Sequence, residues 1–413
     1  MRATLLIKNA RAAVMTGPQP APGDAPLALL EGATVAVSGE RLVHVGPPEE
    51  IEGDTVIDAG GALVTPGLID PHTHLLFAGD RAHEHEQRLA GASYLDIAQA
   101  GGGICATVRA TRAASDQALI ASARARLRRL VEGGVTTAEV KSGYGLSAAE
   151  ELRMLRLIRV AAESAGCDVE PTLLGLHAVP EGVEREAWVL QVATDLTPAA
   201  AKAGLARHCD AFYEKGAFTA QECRFALEAG MRVGLSAHLH ADQLADGGGA
   251  RLAAELGCAS AAHLDRTGPE GAAAMAQSRT VAVLLPLAAW FLRQEPARAA
   301  TFLSAGCTVA LGSNLNPGSQ RIEGVSMLLA AACLFCGLTP AQALWAATAG
   351  AAKALRIRDR GQLIPGMRAD LVLWSCGDAA HLAYHGGVEH AQVVIRRGEI
   401  VLDRRAGAPL DCR

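Results

Sequence analysis

The chain has 413 residues, of which 50% are hydrophobic and 20% are charged, and its formal net charge is -5. This composition predicts a large packed core and excludes global disorder, and the length suits one large domain with a smaller one. The longest apolar run, Thr280–Leu292, is well short of the ~20 residues that a membrane-spanning helix needs.

Charge pattern and cysteine usage limit the partners that we expect. The arginines of 109–129 recur at helical spacing, which is typical of a solvated helix face rather than of a nucleic-acid surface. The ten cysteines are scattered along the chain, as in proteins that keep reduced thiols. We therefore expect a cytoplasmic protein that binds neither membranes nor nucleic acid.

Short strand patterns, separated by loops rich in proline and glycine, lie at both ends of the chain. They predict one small β-sandwich domain formed by both termini, residues 1–64 and 358–413, around a central domain of residues 65–357. The terminal strands are expected at Thr4–Ile7, Thr34–Val37, Leu42–Val45, Thr55–Ile57, Asp370–Trp374, Gln392–Ile395 and Glu399–Leu402.

The central domain alternates apolar strand patterns with helical segments. Helix signals include Ser115–Leu130, a capping box at Ser147–Glu150, and Thr339 followed by Pro340. Eight alternations predict an α/β fold, a (β/α)8 TIM-like barrel, ahead of a doubly wound open sheet, because no glycine-rich phosphate motif follows an early strand. The expected barrel strands are Gly67–Phe77, Val135–Lys141, Glu170–Ala178, Asp210–Glu214, Val233–His240, Ala259–Leu264, Val281–Leu287 and Thr308–Asn314.

His72 and His74 form a His-x-His motif that follows the first barrel strand. Residues two apart on a strand point the same way, so two imidazoles aim at one point. Such a pair suits a divalent metal if other strands supply further ligands, although two packing histidines give the same pattern.

Polar residues stand at the carboxyl ends of six of the eight predicted strands, which is where barrel enzymes carry their chemistry. This recurrence favours one shared site over unrelated structural roles. The strand-end residues include His72, His74, Tyr144, His177, His240, Gln243, His263, Asn314, Asn316, Gly318 and Ser319.

On these residues the chain resembles the metal-dependent amidohydrolase superfamily and, more narrowly, the imidazolonepropionases. The most specific stretches are Arg81 with Arg-Leu-Ala-Gly-Ala-Ser-Tyr at 88–94, the segment 100–112, Glu-Val-Lys-Ser-Gly-Tyr-Gly-Leu at 139–146, and Asn-Pro-Gly-Ser at 316–319. The resemblance covers nearly the whole chain. It implies hydrolysis of 4-imidazolone-5-propanoate to N-formimidoyl-L-glutamate in histidine degradation, and a homodimer.

The resemblance also implies one divalent metal per chain, zinc or iron, with His72, His74, His240 and the position of Asn314 as its ligands. The resemblance also implies a set of substrate-binding positions whose chemistry suits this substrate. An arginine can form paired hydrogen bonds with the propanoate carboxylate, and the polar side chains can donate and accept hydrogen bonds at the imidazolone ring. His263 is a candidate base, and His177 or His263 a candidate donor to the oxyanion. The implied substrate positions are Arg81, Tyr144, His177, Gln243, Asn316, Gly318 and Ser319.

Asn314 departs from the family pattern, which has an aspartate there that binds the metal and can accept a proton. Asparagine is neutral and is not a base, and a general base is typically worth ~10²–10⁴-fold in rate. Three interpretations stay open: an Asp→Asn variant made to trap substrate, a diverged homologue with reduced, altered or lost hydrolysis, and an enzyme that uses another base such as His263. Ala262, which replaces another usual aspartate, mildly favours the second.

Two other functions remain as alternatives. One is a deaminase or another cyclic-amide hydrolase, which is less favoured because Asp242 and Gln243 follow His240 where many deaminases have a glutamate. The other is a non-catalytic homologue that binds an imidazolone-like ligand, motivated by Asn314. The metal content of the purified protein distinguishes this non-catalytic alternative, which would contain little metal, from the two enzymes.

Overall fold

The computed structural model of the chain describes residues 2–21, 27–92, 96–97 and 100–405. Residues 93 and 94 of the 88–94 motif, and residues 406–413 of the predicted terminal domain, lie outside the described residues.

The strands form two separate sheets, one in the central part of the chain and one from its ends. In chain order the strands are β1 Arg2–Ala13, β2 Leu29–Ser38, β3 Arg41–Gly46, β4 Glu52–Asp58, β5 Leu63–Pro66, β6 Leu68–Asp70, β7 Val135–Lys141, β8 Asp168–Leu176, β9 His208–Tyr213, β10 Ser236–Ala241, β11 Ser260–His263, β12 Val281–Leu284, β13 Val309–Leu311, β14 Leu371–Trp374, β15 Ala391–Arg396 and β16 Glu399–Asp403.

Helices lie between the central strands, as the alternating sequence pattern predicts. Three π-helical segments within the described residues continue directly from α-helices, at Val192–Leu196, Ala332–Cys336 and Ala346–Gly350. The α-helices span Ala82–Leu89, Ile104–Ala113, Asp116–Glu132, Ala148–Ala162, Arg185–Gln191, Thr197–Lys202, Ala220–Arg232, Gly249–Glu255, Pro269–Ser278, Pro286–Phe291, Ala299–Ala305, Val325–Ala331, Pro340–Trp345, Ala351–Ala354 and Ala379–Tyr384.

Strands β6 to β13 form the predicted barrel. Each pairs in parallel with the next strand along the chain. The first and last strands meet just beyond their carboxyl ends, where the His74 N–H donates to the Leu315 carbonyl and the Asn314 N–H donates to the His72 carbonyl, both at 2.9 Å. The (β/α)8 fold is therefore confirmed, and the doubly wound open sheet is not the fold.

The second sheet joins strands from both ends of the chain. Its order is β16-β15-β14-β5-β1-β2-β3, with β4 paired in parallel to β1. Buried apolar side chains from both termini, such as Ile7, Val35, Leu371 and Ile395, form one cluster. The expected separate unit made from both termini is present, and β5 leads directly into the first barrel strand.

The helix signals read from the sequence correspond to real caps. The Ser115 hydroxyl accepts a hydrogen bond from the Ala118 N–H, and Thr339 forms a full capping box with Gln342. At Ser147 the hydroxyl accepts from the Glu150 N–H, but the Glu150 carboxylate pairs with Arg153 at 2.8 Å instead of completing the box.

None of the described helices is long and apolar enough to cross a membrane. The cytoplasmic location and the absence of a nucleic-acid partner stay predictions. None of the cysteines among the described residues forms a disulfide.

Candidate active site

Three histidine side chains converge at the carboxyl end of the barrel. His72 and His74 follow β6, and His240 lies near the end of β10. The Nε2 atoms of His74 and His240 are 3.2 Å apart, and one ring nitrogen of each of the three residues lies within 4.8 Å of the others. Within the described part of the chain, no other three His, Cys, Asp or Glu side chains meet in this way.

The three residues fit a divalent metal. Two nitrogens bound to tetrahedral Zn²⁺ at 2.0–2.1 Å lie about 3.3 Å apart, close to the separation of the His74 and His240 nitrogens. The buried Nε2 of His72 has no hydrogen-bond partner, and a buried polar atom without a partner is costly unless something binds it. An all-imidazole donor set suits zinc or ferrous iron.

Burial keeps two of these imidazoles neutral. It lowers the pKa of His72 well below its usual value, and the nearby Lys141 ammonium lowers it further. Burial likewise lowers the pKa of His74, with His177 and His240 adding to the effect. A neutral imidazole offers a nitrogen lone pair, which is the form that a metal requires.

Asn314 and His263 flank the three histidines. Asn314 is buried and has a left-handed backbone with φ of 56°, a conformation that both Asn and Asp tolerate. The His263 ring centroid lies 5.9 Å from that of His72 and 5.6 Å from that of His240. Burial, followed by His240, lowers the pKa of His263 well below its usual value, so this imidazole is neutral and is a weak base.

A cavity of about 660 Å³ opens over the three histidines. Every residue that the sequence singled out for the site lines it, with the exception of His72. The lining includes His74, Arg81, Tyr144, His177, His240, Gln243, His263, Asn314, Asn316, Gly318 and Ser319.

Arg81 presents its terminal guanidinium nitrogens to this cavity. Its Nε donates to the Glu84 carboxylate at 2.7 Å, which leaves Nη1 and Nη2 for a ligand. Glycine at 318 makes room for them, because a Cβ at that position would lie 2.0 Å from Arg81 Nη1. Arg88 adds a second guanidinium, whose Nη2 donates to the Gly318 carbonyl at 2.8 Å.

Tyr144 stands on a loop that a buried carboxylate holds. Glu151, fully buried, accepts hydrogen bonds from the N–H groups of Gly143, Gly145 and Leu146 at 2.7–2.8 Å. Burial raises the pKa of the Tyr144 phenol. The hydroxyl therefore stays protonated and can donate to a ligand.

His177 has a defined tautomer. Its Nδ1 lies 2.9 Å from the Gly143 carbonyl, which can only accept, so Nδ1 carries the proton. Burial lowers the pKa of His177 to about 3, so the ring is neutral and Nε2 has a lone pair. This geometry supports contact with a substrate N–H and argues against the oxyanion-donor role expected from the sequence.

The side chain of Asn316 is engaged inside its own loop. Its Nδ2 donates to the Asn314 carbonyl at 2.6 Å and to the Ser319 hydroxyl at 2.8 Å. Its Oδ1 accepts from the N–H groups of Gly318 and Ser319, both at 2.8 Å. The structure favours a loop-shaping role for Asn316, whereas Ser319 and Gln243 line the cavity.

The sequence analysis assigned no individual role to several residues that the structure brings to the site. Lys141, Glu139 and Asp210 form a buried ionic cluster beside His240. Glu139 and Lys141 lie two residues apart on β7, a spacing that places both side chains on one face of the strand. Arg88 enters the sequence prediction only as part of a motif, and its place in the cavity depends on its contact with Gly318.

Comparison with known proteins gives consistent matches. Residues 63–401 match the model of the amidohydrolase family. The chain is 51% identical to an imidazolonepropionase from Anaeromyxobacter dehalogenans, over 100% of this chain and 99% of that one. Two solved structures from Arthrobacter aurescens share the fold at 18% identity. One is a triazine hydrolase, with a TM-score of 0.79 over 97% and 95% of the two chains. The other is an atrazine chlorohydrolase complexed with zinc, with a TM-score of 0.73 over 98% and 97%.

Proposed function

The chain belongs to the imidazolonepropionases within the amidohydrolase family, and from that premise we propose how its residues divide the work of hydrolysis. The reaction opens the cyclic amide of 4-imidazolone-5-propanoate to N-formimidoyl-L-glutamate. The observation that carries the proposal is the meeting of His72, His74 and His240 under a cavity that also contains Arg81.

In this proposal the three histidines hold one divalent metal, with the Asn314 amide oxygen as a weak fourth ligand. Asn314 lines the same cavity, and its N–H donates to the His72 carbonyl. A metal held there would supply Lewis acidity and would lower the pKa of a bound water to ≈ 7. Zinc and iron both suit the donor set, and the zinc complex of the atrazine chlorohydrolase with the same fold leads us to propose zinc.

The cavity orients the substrate by its two ends. Arg81 binds the propanoate through its terminal nitrogens, as a guanidinium fork matches a carboxylate. Gly318 leaves room for this contact, and Ser319 lines the same side. At the ring, Tyr144 donates a hydrogen bond, His177 accepts one through Nε2, and Gln243 offers its amide.

His263 is the proton acceptor in this proposal. It is neutral, buried and next to the three histidines, whereas Asn314 cannot take a proton at physiological pH. A base with a strongly lowered pKa is weak, because general-base catalysis is most efficient when the pKa lies near the working pH. We therefore expect slow but measurable hydrolysis.

Ring opening by the zinc-loaded protein tests the substrate assignment. Product N-formimidoyl-L-glutamate should form from 4-imidazolone-5-propanoate, and His72→Ala and His240→Ala should abolish it. Arg81→Met should raise KM by about 10–100-fold, since a hydrogen bond to a charged group is worth about 1.5–3 kcal/mol. Normal turnover by the histidine variants would contradict the proposed site.

A non-catalytic imidazolone-binding protein is the second candidate, and Asn314 is the observation that favours it. Such a protein would purify with little metal and would bind the substrate without opening it. Metal content measured on the purified chain, together with calorimetric binding of 4-imidazolone-5-propanoate, separates the two candidates.

We also propose that the chain forms a homodimer, which the resemblance to the family implies. Light scattering on the protein as it elutes from a size-exclusion column should give twice the mass of one chain. A mass of one chain at micromolar concentration would contradict this proposal.

A further inference from the structure

Lys141 is a buried lysine that has no role in the chemistry proposed for the site. It is the last residue of β7, and its side chain is 1% exposed. Its Nζ lies 2.7 Å from Glu139 Oε1 and 2.8 Å from Asp210 Oδ2. Lysine is almost never fully buried unless it is paired, and here two carboxylates on different strands pair it.

One of these carboxylates reaches His240. Asp210 Oδ2, the same atom that contacts Lys141, lies 3.1 Å from His240 Nδ1. The two atoms lie within hydrogen-bond distance, although His240 Nδ1 forms no hydrogen bond in this geometry. A metal-binding histidine commonly donates its other ring N–H to a carboxylate, which fixes the tautomer and the ring orientation. Asp210 is placed to keep the proton on Nδ1 and so to leave Nε2 facing His74.

The other carboxylate reaches the His-x-His segment. Glu139 Oε2 accepts a hydrogen bond from the Thr73 N–H at 3.2 Å, and the Thr73 hydroxyl donates to the Glu139 carbonyl at 2.7 Å. The Lys141 N–H donates in turn to the Thr73 carbonyl at 3.0 Å. Thr73 stands between His72 and His74, so these three bonds fix the backbone that carries both imidazoles.

The charge of this cluster also suits its position. Asp210 Oδ2 lies within 3.1 Å of both Lys141 Nζ and His240 Nδ1, so this carboxylate bridges the ammonium and the imidazole. Burial alone would lower the pKa of Lys141, but Asp210 and Glu139 raise it above its usual value. Three histidines and Asn314 form the donor set, and the Asp210 carboxylate lies directly behind one of its members, His240.

We propose that Lys141 is a positioning residue that holds the three metal-binding histidines in one arrangement, through Asp210 on His240 and through Glu139 on the segment His72–His74. This inference rests on the metal site proposed for the chain. It assigns Lys141 no contact with the metal or the substrate.

Metal affinity of the full chain tests this role without an activity assay. The chain is stripped with a chelator and titrated with Zn²⁺ against a competing indicator, and with Co²⁺ to record its visible absorption bands. Lys141→Met and Asp210→Asn should bind Zn²⁺ about 10–100-fold more weakly than the unaltered chain, as loss of such outer partners typically does. The Co²⁺ bands should shift in both variants.

Arg368 provides a matched control. It too is a buried cation between two carboxylates, Asp168 at 2.5 Å and Asp370 at 2.9 Å, but it lies near the start of β8 instead of at the site. Arg368→Met and Asp370→Asn should bind one equivalent of Zn²⁺ with unchanged affinity and unchanged Co²⁺ bands.

The outcomes separate the two proposals. Tight binding by Lys141→Met and Asp210→Asn would overturn the role of Lys141 and leave the metal site standing. Equal loss of affinity in the Arg368 and Asp370 controls would also overturn it, since general destabilisation would then explain the effect. No Zn²⁺ binding by the unaltered chain would overturn the metal site and the positioning role together. If Lys141→Met does not fold, Asp210→Asn decides alone.

Discussion

At the scale of single residues, Gly318 controls the position of Arg81. A Cβ at 318 would lie 2.0 Å from Arg81 Nη1, and the end of an arginine side chain can move away at little cost to folding. A substitution at this glycine should therefore weaken substrate binding while it leaves the free energy of unfolding nearly unchanged.

We expect Gly318→Ala to raise KM for 4-imidazolone-5-propanoate by about 10–100-fold, because the displaced guanidinium loses charged hydrogen bonds worth about 1.5–3 kcal/mol. The free energy of unfolding should change by less than about 1 kcal/mol, as for most substitutions that bury no new polar group. Steady-state kinetics and urea unfolding measure both effects. An imidazolone without the propanoate chain is the control, and an equal change in KM for that compound would refute the role of Gly318.

The histidines of the site could be predicted from the sequence, and the contacts of their neighbours could not. Strand-end histidines converge in any (β/α)8 barrel, so His72, His74 and His240 follow from the fold class. The tautomer of His177 depends instead on the Gly143 carbonyl, and the engagement of the Asn316 side chain depends on the path of its own loop. Neither leaves a signal in residue type or spacing.

At the scale of elements, the loop after β7 is held by one carboxylate from the following helix. Glu151 accepts three backbone hydrogen bonds from residues 143–146, and this loop carries Tyr144. The position of Tyr144 in the cavity therefore depends on Glu151.

Glu151→Gln should lower the free energy of unfolding by about 2–3 kcal/mol, because an amide cannot accept all three bonds and leaves a buried N–H without a partner. KM should rise in the same variant as Tyr144 loses its fixed position. Glu150→Gln is the control on the same helix, since Glu150 is half-exposed and pairs with Arg153. Urea unfolding and steady-state kinetics measure these effects. If the two variants have the same free energy of unfolding and the same KM, this role for Glu151 is excluded.

The alternation of apolar runs with helical segments predicted all eight barrel strands. The observed strand ends differ from the predicted ones because of local backbone features. The strand expected at Val233–His240 begins at Ser236, because Val233 closes the preceding helix and Gly234 has φ of 86°. The strand expected at Gly67–Phe77 ends at Asp70, where Pro71 has no N–H for a sheet hydrogen bond. A run of apolar residues does not indicate where such a turn ends the strand, so these boundaries could not be predicted from it.

At the scale of the whole molecule, Asp168 joins the barrel to the terminal sheet. It is the first residue of β8 and pairs with Arg368, Arg396 and Arg397 at 2.5–3.2 Å. Burial alone would raise the pKa of Asp168, but these arginines hold it below its usual value.

A carboxylate with a lowered pKa stabilises the fold above its unfolded pKa, and that stabilisation is lost as the pH falls through its folded pKa. Asp168→Asn should therefore cost about 3 kcal/mol at neutral pH, as when a buried ion pair loses one partner. The difference from the unaltered chain should shrink as the pH falls below about 4. Urea unfolding across pH 2–8 measures it, with Asp54→Asn at an exposed ion pair as the control. A difference that stays constant on acidification would rule out this linkage.

The composite terminal unit could be predicted from strand patterns at both ends, whereas its attachment to the barrel could not. Arg360, Arg368, Arg396 and Arg397 lie about two hundred residues from Asp168 in the chain. Charged residues at that separation give no pairing signal in one sequence. The ion pairs follow only from the folded arrangement of the two sheets.

We propose that this chain has the three-histidine metal site of an imidazolonepropionase with a neutral residue at position 314. The most direct measurement is the rate of ring opening of 4-imidazolone-5-propanoate at saturating zinc, for the unaltered chain and for Asn314→Asp. The left-handed backbone at 314 accepts aspartate, so the substitution changes charge with little change in shape. We expect the rate to rise by ~10²–10⁴-fold, the usual worth of a general base. Equal rates in the two proteins, or no product from either, would contradict the claim.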